Sequence, residues 1–216
     1  MSFQDELANL RANIRTQQPK ELAAALDQSI NELKAAPARQ KTVGDTAPTF
    51  RLTDATGKVA SLTNALHNGP VVLNFYRGGW CPFCNLELNA LQRALPRFKE
   101  LGAQLMAISP EAPDNSLTTI QKHKLAFPVL SDLKSEVAQQ YGIVYTVPEY
   151  LRSVFEKFGL DLTKHNGTDK VQLPIPATYI IDRHQIIQYA FANEDFTVRA
   201  DIEEIIGVLK QIKDKR

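Results

Sequence analysis

The sequence predicts an α/β fold: a central mixed sheet with helices on both faces, behind a helical extension over residues 1–40, with the main domain spanning 41–216. Three observations lead there. Val71–Tyr76, Pro82–Lys99 and Gln104–Ser109 read in order as strand, helix and strand, the pattern of a parallel βαβ unit. Ala177–Ile181 and Ile186–Phe191 are β-rich runs flanking Asp182-Arg183-His184-Gln185, an antiparallel hairpin at a sheet edge. Residues 3–36 carry apolar stripes at helical spacing.

Composition sets outer bounds. The 216 residues are 44% hydrophobic and 23% charged, ordinary for a globular chain. A net charge of +1 offers no electrostatic case for nucleic acid or a membrane surface. No apolar run reaches the roughly 18 residues that cross a bilayer. The start, Met1-Ser2-Phe3-Gln4-Asp5-Glu6, lacks the basic and apolar regions of a signal peptide, so the expectation is a soluble, cytoplasmic protein. Two cysteines cannot build a secreted disulfide framework, but they suit a reactive pair in a reducing compartment.

Along the chain, Phe3, Leu7, Leu10 and Ile14 form one stripe, and Leu22, Leu26, Ile30 and Leu33 a second. Pro19 suits the first helical position of the second helix and Pro37 ends it. These stripes either pack on the main domain or cover a second copy, since short heptads also mark helix pairing. Pro37, Gly44 and Pro48 mark a linker. Phe50–Thr53 and Lys58–Ser61 flank Asp54-Ala55-Thr56-Gly57 as a short hairpin. After the βαβ unit come a helix near 113–123, a short strand at Phe127–Leu130, a helix over 134–141 that stops at Gly142, and another over Val147–Phe158. Residues 159–173 read as a loop, with Asn166-Gly167-Thr168 as a turn. A last helix starts near Asp201, where Asp201 and Glu204 have the spacing of a capping box.

The chemistry concentrates at Gly78-Gly79-Trp80-Cys81-Pro82-Phe83-Cys84. The only tryptophan and both cysteines fall within five consecutive residues, between a buried strand and a helix N-terminus. That N-terminus presents unpaired N–H groups and a partial positive charge, which favour a thiolate. Cys81, the more N-terminal and more exposed, is the candidate nucleophile. Cys84, one turn later and partly buried, can attack a mixed disulfide or sulfenic acid on Cys81. Zinc would need four ligands, and His67, His123, His165 and His184 show no ligand spacing. Two inert buried cysteines are the remaining alternative.

Trp80-Cys81-Pro82-Phe83-Cys84 resembles a thioredoxin-type active site. Over roughly residues 41–206 the chain resembles the peroxiredoxin-like branch of the alkyl hydroperoxide reductase/thiol-specific antioxidant family. The resemblance rests on Val71–Cys84, Leu105–Ser109, Phe127-Pro128-Val129-Leu130-Ser131-Asp132 with Tyr141-Gly142, Pro174–Asp182, and Asp195-Phe196-Thr197-Val198-Arg199. It implies a thioredoxin-like fold and thiol redox chemistry without a cofactor or metal.

The resemblance also assigns roles. Pro176 matches the cis-proline that faces the cysteine pair, and with Gly79 and Trp80 it would border the substrate. Asn74 takes the place of a buried acid, and Glu87 matches an acid under the cysteines that tunes their proton affinity, the alternative being an exposed helix charge. The family's threonine ahead of the reactive cysteine is missing, since Arg77, Gly78, Gly79 and Trp80 stand there. Arg77 would supply a positive charge that lowers the Cys81 pKa and binds a peroxide oxygen, with the Gly78 and Gly79 amides as further donors. Arg199 matches a late arginine of the family.

Three functions follow: reduction of hydrogen peroxide or alkyl hydroperoxides by the Cys81/Cys84 pair with a thioredoxin- or glutathione-type reductant, disulfide exchange without peroxide, or a redox-responsive binding module. A homodimer is compatible with each.

Overall fold

The computed structural model describes residues 1–214. Two helices lead, α1 (Phe3–Gln17) and α2 (Lys20–Ala35), with Pro19 one position ahead of α2. There follow β1 (Arg51–Asp54), β2 (Val59–Ser61), α3 (Leu62–Asn68), β3 (Val71–Phe75), α4 (Pro82–Glu100) and β4 (Gln104–Ser109). Next come α5 (Pro113–His123), β5 (Val129–Ser131), α6 (Glu136–Gln140), β6 (Val144–Thr146), α7 (Glu149–Lys157) and α8 (Leu162–Asn166). The chain closes with β7 (Gln172–Pro174), β8 (Ala177–Ile181), β9 (Ile187–Ala192) and α9 (Ile202–Asp214).

Seven strands form one sheet in the order β2-β1-β5-β4-β3-β8-β9. β3, β4 and β5 run parallel, while β1, β8 and β9 join antiparallel, so the sheet is mixed. β3 lies between β4 and β8 and is buried along its whole length, as its unbroken apolar run requires. Alternate residues serve opposite faces. Val72 and Tyr76 pack with Leu88, Leu91 and Phe98 of α4 and with Ile205 and Leu209 of α9. Val71, Leu73 and Phe75 pack with Leu62 and Leu66 of α3, Val137 of α6, and Tyr141 and Tyr179. By the same parity Asn74 points toward α4, which brings it to the site.

The apolar stripes of the first two helices find partners in their own chain. Phe3 and Leu7 of α1 enter the α4 core. Leu22, Ala25 and Leu26 of α2 pack with Leu151 and Phe155 of α7, Leu162 of α8, and Leu173 of β7 in a third, separate core. Among the described residues, no helix is long and apolar enough to cross a membrane.

Some expectations need correction. Residues 159–173 contain α8 and the start of β7, a strand that exists by pairing with β6 across the intervening α7 and α8. The strand β6 and the helix α3 were also not expected, and both are too short to show a period. Asn166-Gly167 does turn, with Gly167 at φ 65 closing α8 and Asn166 buried. The Asp201–Glu204 box does not form. Asp201 Oδ1 accepts the Glu203 N–H at 2.7 Å, and Glu204 instead accepts from the Tyr189 hydroxyl at 3.1 Å. Among the described residues no peptide bond is cis, so Ile175–Pro176 is trans. This junction runs extended from the β6–β7 ribbon into β8, held by the Ile175 N–H on the Ile143 carbonyl at 2.6 Å.

Candidate active site

β3 delivers Arg77 and the Gly78-Gly79 turn to the mouth of α4, and Cys81 is the residue that caps that helix. Pro82 opens the helix, where its missing N–H costs no hydrogen bond. Gly78 has φ 153, and a Cβ there would meet the Trp80 indole. A Cβ on Gly79 would collide with the Thr119 hydroxyl. The two glycines therefore let the turn run tightly beneath Trp80 and against α5.

Both cysteines are free thiols and closed to solvent, Cys81 at 1% exposure and Cys84 at 0%. The expected greater exposure of Cys81 is thus corrected, because α1, α2 and α7 build up around it. Cys81 instead opens onto a groove of about 410 Å³, lined chiefly by apolar side chains of α1, α2 and α7 together with Trp80 and Phe196.

Two arginines meet the pair. Arg77 is 1% exposed, with its guanidinium 4.3 Å from the Phe196 ring centre and 4.9 Å from that of Trp80. Its Nε and Nη2 have no protein hydrogen-bond partner. Arg199, also buried, donates from Nη2 to Cys84 Sγ at 3.4 Å and from Nε to Glu87 Oε2 at 2.7 Å. Its Nη1 is held by the carbonyls of Phe196 and Val198.

These surroundings separate the two thiols. Burial pushes the Cys81 thiol up, but hydrogen bonding from Cys84 and the charges of Arg77 and Arg199 outweigh it and hold the pKa down at about 6. Cys84 moves the other way. Burial raises it well above the ordinary thiol range, and its position as donor to the Cys81 anion keeps its proton in place. One thiolate and one thiol result, the division that a nucleophile and a resolving group require.

Glu87 is not an exposed helix charge. It is 2% exposed, and burial lifts its pKa to about 7 against the pull of Arg199. Asn74 donates from Nδ2 to Thr178 Oγ1 at 3.1 Å.

The Gly79 N–H is engaged. It donates to Glu111 Oε2 at 2.9 Å, so it is not a free donor facing Cys81. Glu111 is 1% exposed, and burial raises its pKa to about 7. The sequence reading passed over Glu111. Its signal was its place two residues beyond the carboxyl end of β4, where open α/β sheets collect site residues. Phe196 and the apolar wall from α1 and α2 were missed as well, since nothing local ties residues so far apart to Cys81. Pro176 is buried one residue before Ala177, the register partner of Phe75, but it does not line the groove.

The AhpC/TSA family model matches residues 43–190. The chain belongs to the AhpC/TSA family. It is 29% identical over 172 residues to peroxiredoxin Q, chloroplastic, from Sedum lineare, covering 80% of each chain. It is 32% identical over 103 residues to the thiol-disulfide oxidoreductase ResA of Bacillus thuringiensis, covering 47% of this chain and 58% of that one. Among solved structures, a peroxidoxin, BcpB, from Mycobacterium tuberculosis aligns with TM-score 0.63 at 24% identity, over 80% of this chain and 99% of that one. Peroxiredoxin Q from Xanthomonas campestris aligns with TM-score 0.61 at 17% identity, over 82% and 98%. These neighbours share the thioredoxin-like fold. The family match begins after α2 and ends before Phe196 and Arg199, so much of the groove and Arg199 lie outside it, while Glu87 lies within it.

Proposed function

We propose that this protein is a thiol peroxidase in which Cys81 reduces hydroperoxides and Cys84 resolves the product. The observation that carries this reading is the division of the pair: a Cys81 thiolate held by Arg77 and Arg199 beside a Cys84 that keeps its proton. The peroxiredoxin Q relatives support the same chemistry.

The steps follow from those groups. Cys81 sulfur attacks the nearer oxygen of a hydroperoxide, and the O–O bond breaks. The departing oxygen takes a proton and leaves as alcohol or water, and Cys81 becomes a sulfenic acid. Arg77, with Nε and Nη2 unpartnered, donates to the charge that develops on the peroxide oxygens and so replaces the missing threonine. Cys84 then attacks the Cys81 sulfur, water leaves, and a disulfide closes. Its proton passes to the departing hydroxide. A dithiol of thioredoxin type, or two molecules of a glutathione-type thiol, returns the two electrons.

Glu87 and Arg199 act as positioning residues for Cys84. Trp80 forms the wall beside Cys81. The division into an extension over 1–40 and a catalytic domain over 41–216, a cytoplasmic setting and a homodimeric state belong to this proposal.

The test is hydroperoxide consumption with a thioredoxin or glutathione system, wild type against Cys81→Ser. Wild-type turnover that Cys81→Ser abolishes is expected. Wild-type consumption no faster than background would end the peroxidase reading. Disulfide exchange is the second reading, favoured by the ResA relative, and insulin reduction by the wild type tests it.

A further inference from the structure

Glu111 is a buried carboxyl that the proposed steps leave unused. It stands two residues past β4, and its carboxyl lies against both glycines of the turn before Cys81. A Cβ on Gly78 would come within 3.0 Å of Glu111 Cδ, and one on Gly79 within 3.6 Å of Oε2. Oε2 accepts the Gly79 N–H at 2.9 Å. Other groups of the turn are tied to the start of α4. The Gly78 carbonyl accepts the Cys81 N–H at 3.1 Å, and the Gly79 carbonyl accepts from Asn85 Nδ2 at 2.8 Å. The loop that carries Glu111 is anchored as well. Glu111 N–H donates to Ser109 Oγ at 3.3 Å, and the His165 carbonyl of α8 accepts from the Ala112 N–H at 3.0 Å and from Asn115 Nδ2 at 2.8 Å.

We propose that Glu111 is a positioning residue for Cys81: it clamps the Gly79 amide and so fixes the turn that sets Cys81 against Arg77. The proposal rests on Cys81 being the nucleophile, whichever oxidant it meets.

Two adjacent glycines give the backbone wide freedom, and Gly78 at φ 153 uses it. With no side chains to pack, the pair is held in shape by its hydrogen bonds. Arg77 precedes the glycines and Cys81 follows them after Trp80, so the shape of the turn sets how closely the guanidinium approaches the sulfur. The Arg77 charge is one of the effects that hold the Cys81 thiol down, and it weakens with distance. A carboxyl is also a costly way to satisfy one amide. Burial raises its pKa to about 7, a penalty that a smaller neutral acceptor would avoid. Glu111 also faces Tyr76 beyond β3, Cys84 of α4 and His165 of α8, so its charge bears on those groups. Charge and clamp act on Cys81 with opposite signs. Removing a negative group near a thiolate eases ionisation and lowers the midpoint, whereas loosening the turn withdraws Arg77 and raises it.

The experiment follows iodoacetamide alkylation of Cys81 against pH in the wild type, Glu111→Ala, Glu111→Asp and Glu111→Gln, with denaturant unfolding of each. Glu111→Ala removes the acceptor. Glu111→Asp keeps the charge on an arm one methylene too short to reach the Gly79 N–H. Both are expected to raise the alkylation midpoint by about half a unit or more, which slows alkylation below the midpoint by about threefold. Glu111→Gln keeps an oxygen for the amide and holds the midpoint at or below the wild-type value. Should Glu111→Ala not fold, Glu111→Asp decides. A merely structural Glu111 would lower the unfolding stability of the variants and leave the midpoint in place. That result overturns the proposal, as does a midpoint that falls in Glu111→Ala and Glu111→Asp, or one that rises equally in Glu111→Gln. Alkylation needs no peroxide, so a protein that consumes none still reports on Glu111, and loss of the clamp assignment leaves the peroxidase reading standing.

Discussion

Arg199 Nε donates to Glu87 Oε2 at 2.7 Å, and less than a twentieth of either side chain is open to solvent. The same guanidinium reaches Cys84 rather than Cys81. The late arginine therefore supports the resolving cysteine directly and reaches the attacking one through its charge. Arg77 takes the place beside Cys81, clamped between Trp80 and Phe196.

Removing one partner of the buried pair leaves the other uncompensated. Arg199→Met is expected to lower stability by about 3–5 kcal/mol, measured by denaturant unfolding. Glu87→Gln should cost less, since burial already lifts Glu87 to about 7 and a proton can relieve its charge. The double variant Glu87→Gln with Arg199→Met should recover part of the loss of Arg199→Met. If the three effects are additive, the pair is not coupled as the geometry requires.

The Cys81 thiolate persists to lower pH than an ordinary thiol. Its alkylation by iodoacetamide should therefore fall as pH drops through about 6 and level off above about 7. Arg77→Met removes one of the charges that hold the thiol down, so the midpoint should move up by about one unit or more. A midpoint that stays in place would remove Arg77 from the account.

Cys84→Ser should leave a sulfenic acid on Cys81 that dimedone labels in the mass spectrum after one equivalent of hydroperoxide. In the wild type the disulfide should form instead, and the label should be absent. Labelling of Cys84 in a Cys81→Ser protein at the wild-type rate of Cys81 oxidation would reverse the roles.

Glu111 ties folding stability to pH. Burial raises its folded-state pKa to about 7 from the ordinary 4.5. Between those values the native state holds a proton that the unfolded chain has released. Its contribution is full below pH 4.5 and is lost as pH rises through 7. His165 is the neighbouring titratable group, its Nδ1 3.6 Å from Glu111 Oε1, and burial lowers its pKa. Glu111→Gln still has an oxygen for the Gly79 N–H. It should flatten the pH dependence of unfolding by about 1–3 kcal/mol across this window. A wild-type curve that is no steeper than that of the variant contradicts the assignment.

The redox site was legible because its parts are local. An unbroken apolar strand, a Gly-Gly break and a Cys-x-x-Cys at a helix start lie within fourteen residues, Val71 to Cys84, and each is set by backbone geometry over a few residues. The order of strands and long helices was legible for the same reason, since amphipathic periods are properties of single elements. Elements as short as β6 and α8 show no period, and they exist only through β6–β7 pairing and the core shared with α2. Glu87 and Arg199 came into view only through the resemblance to the family, since neither stands in a local motif with the cysteines.

What the sequence by itself determined is the chemistry available: two thiols at one helix N-terminus on a central parallel strand. Only the tertiary structure decided how they are used. It paired Glu87 with Arg199 across 112 positions, turned the Gly79 amide to Glu111, kept Ile175–Pro176 trans, and laid α1 and α2 beside Cys81. The physical reason is that pKa, burial and access depend on through-space distance in a low-dielectric interior, and chain separation carries no record of that distance.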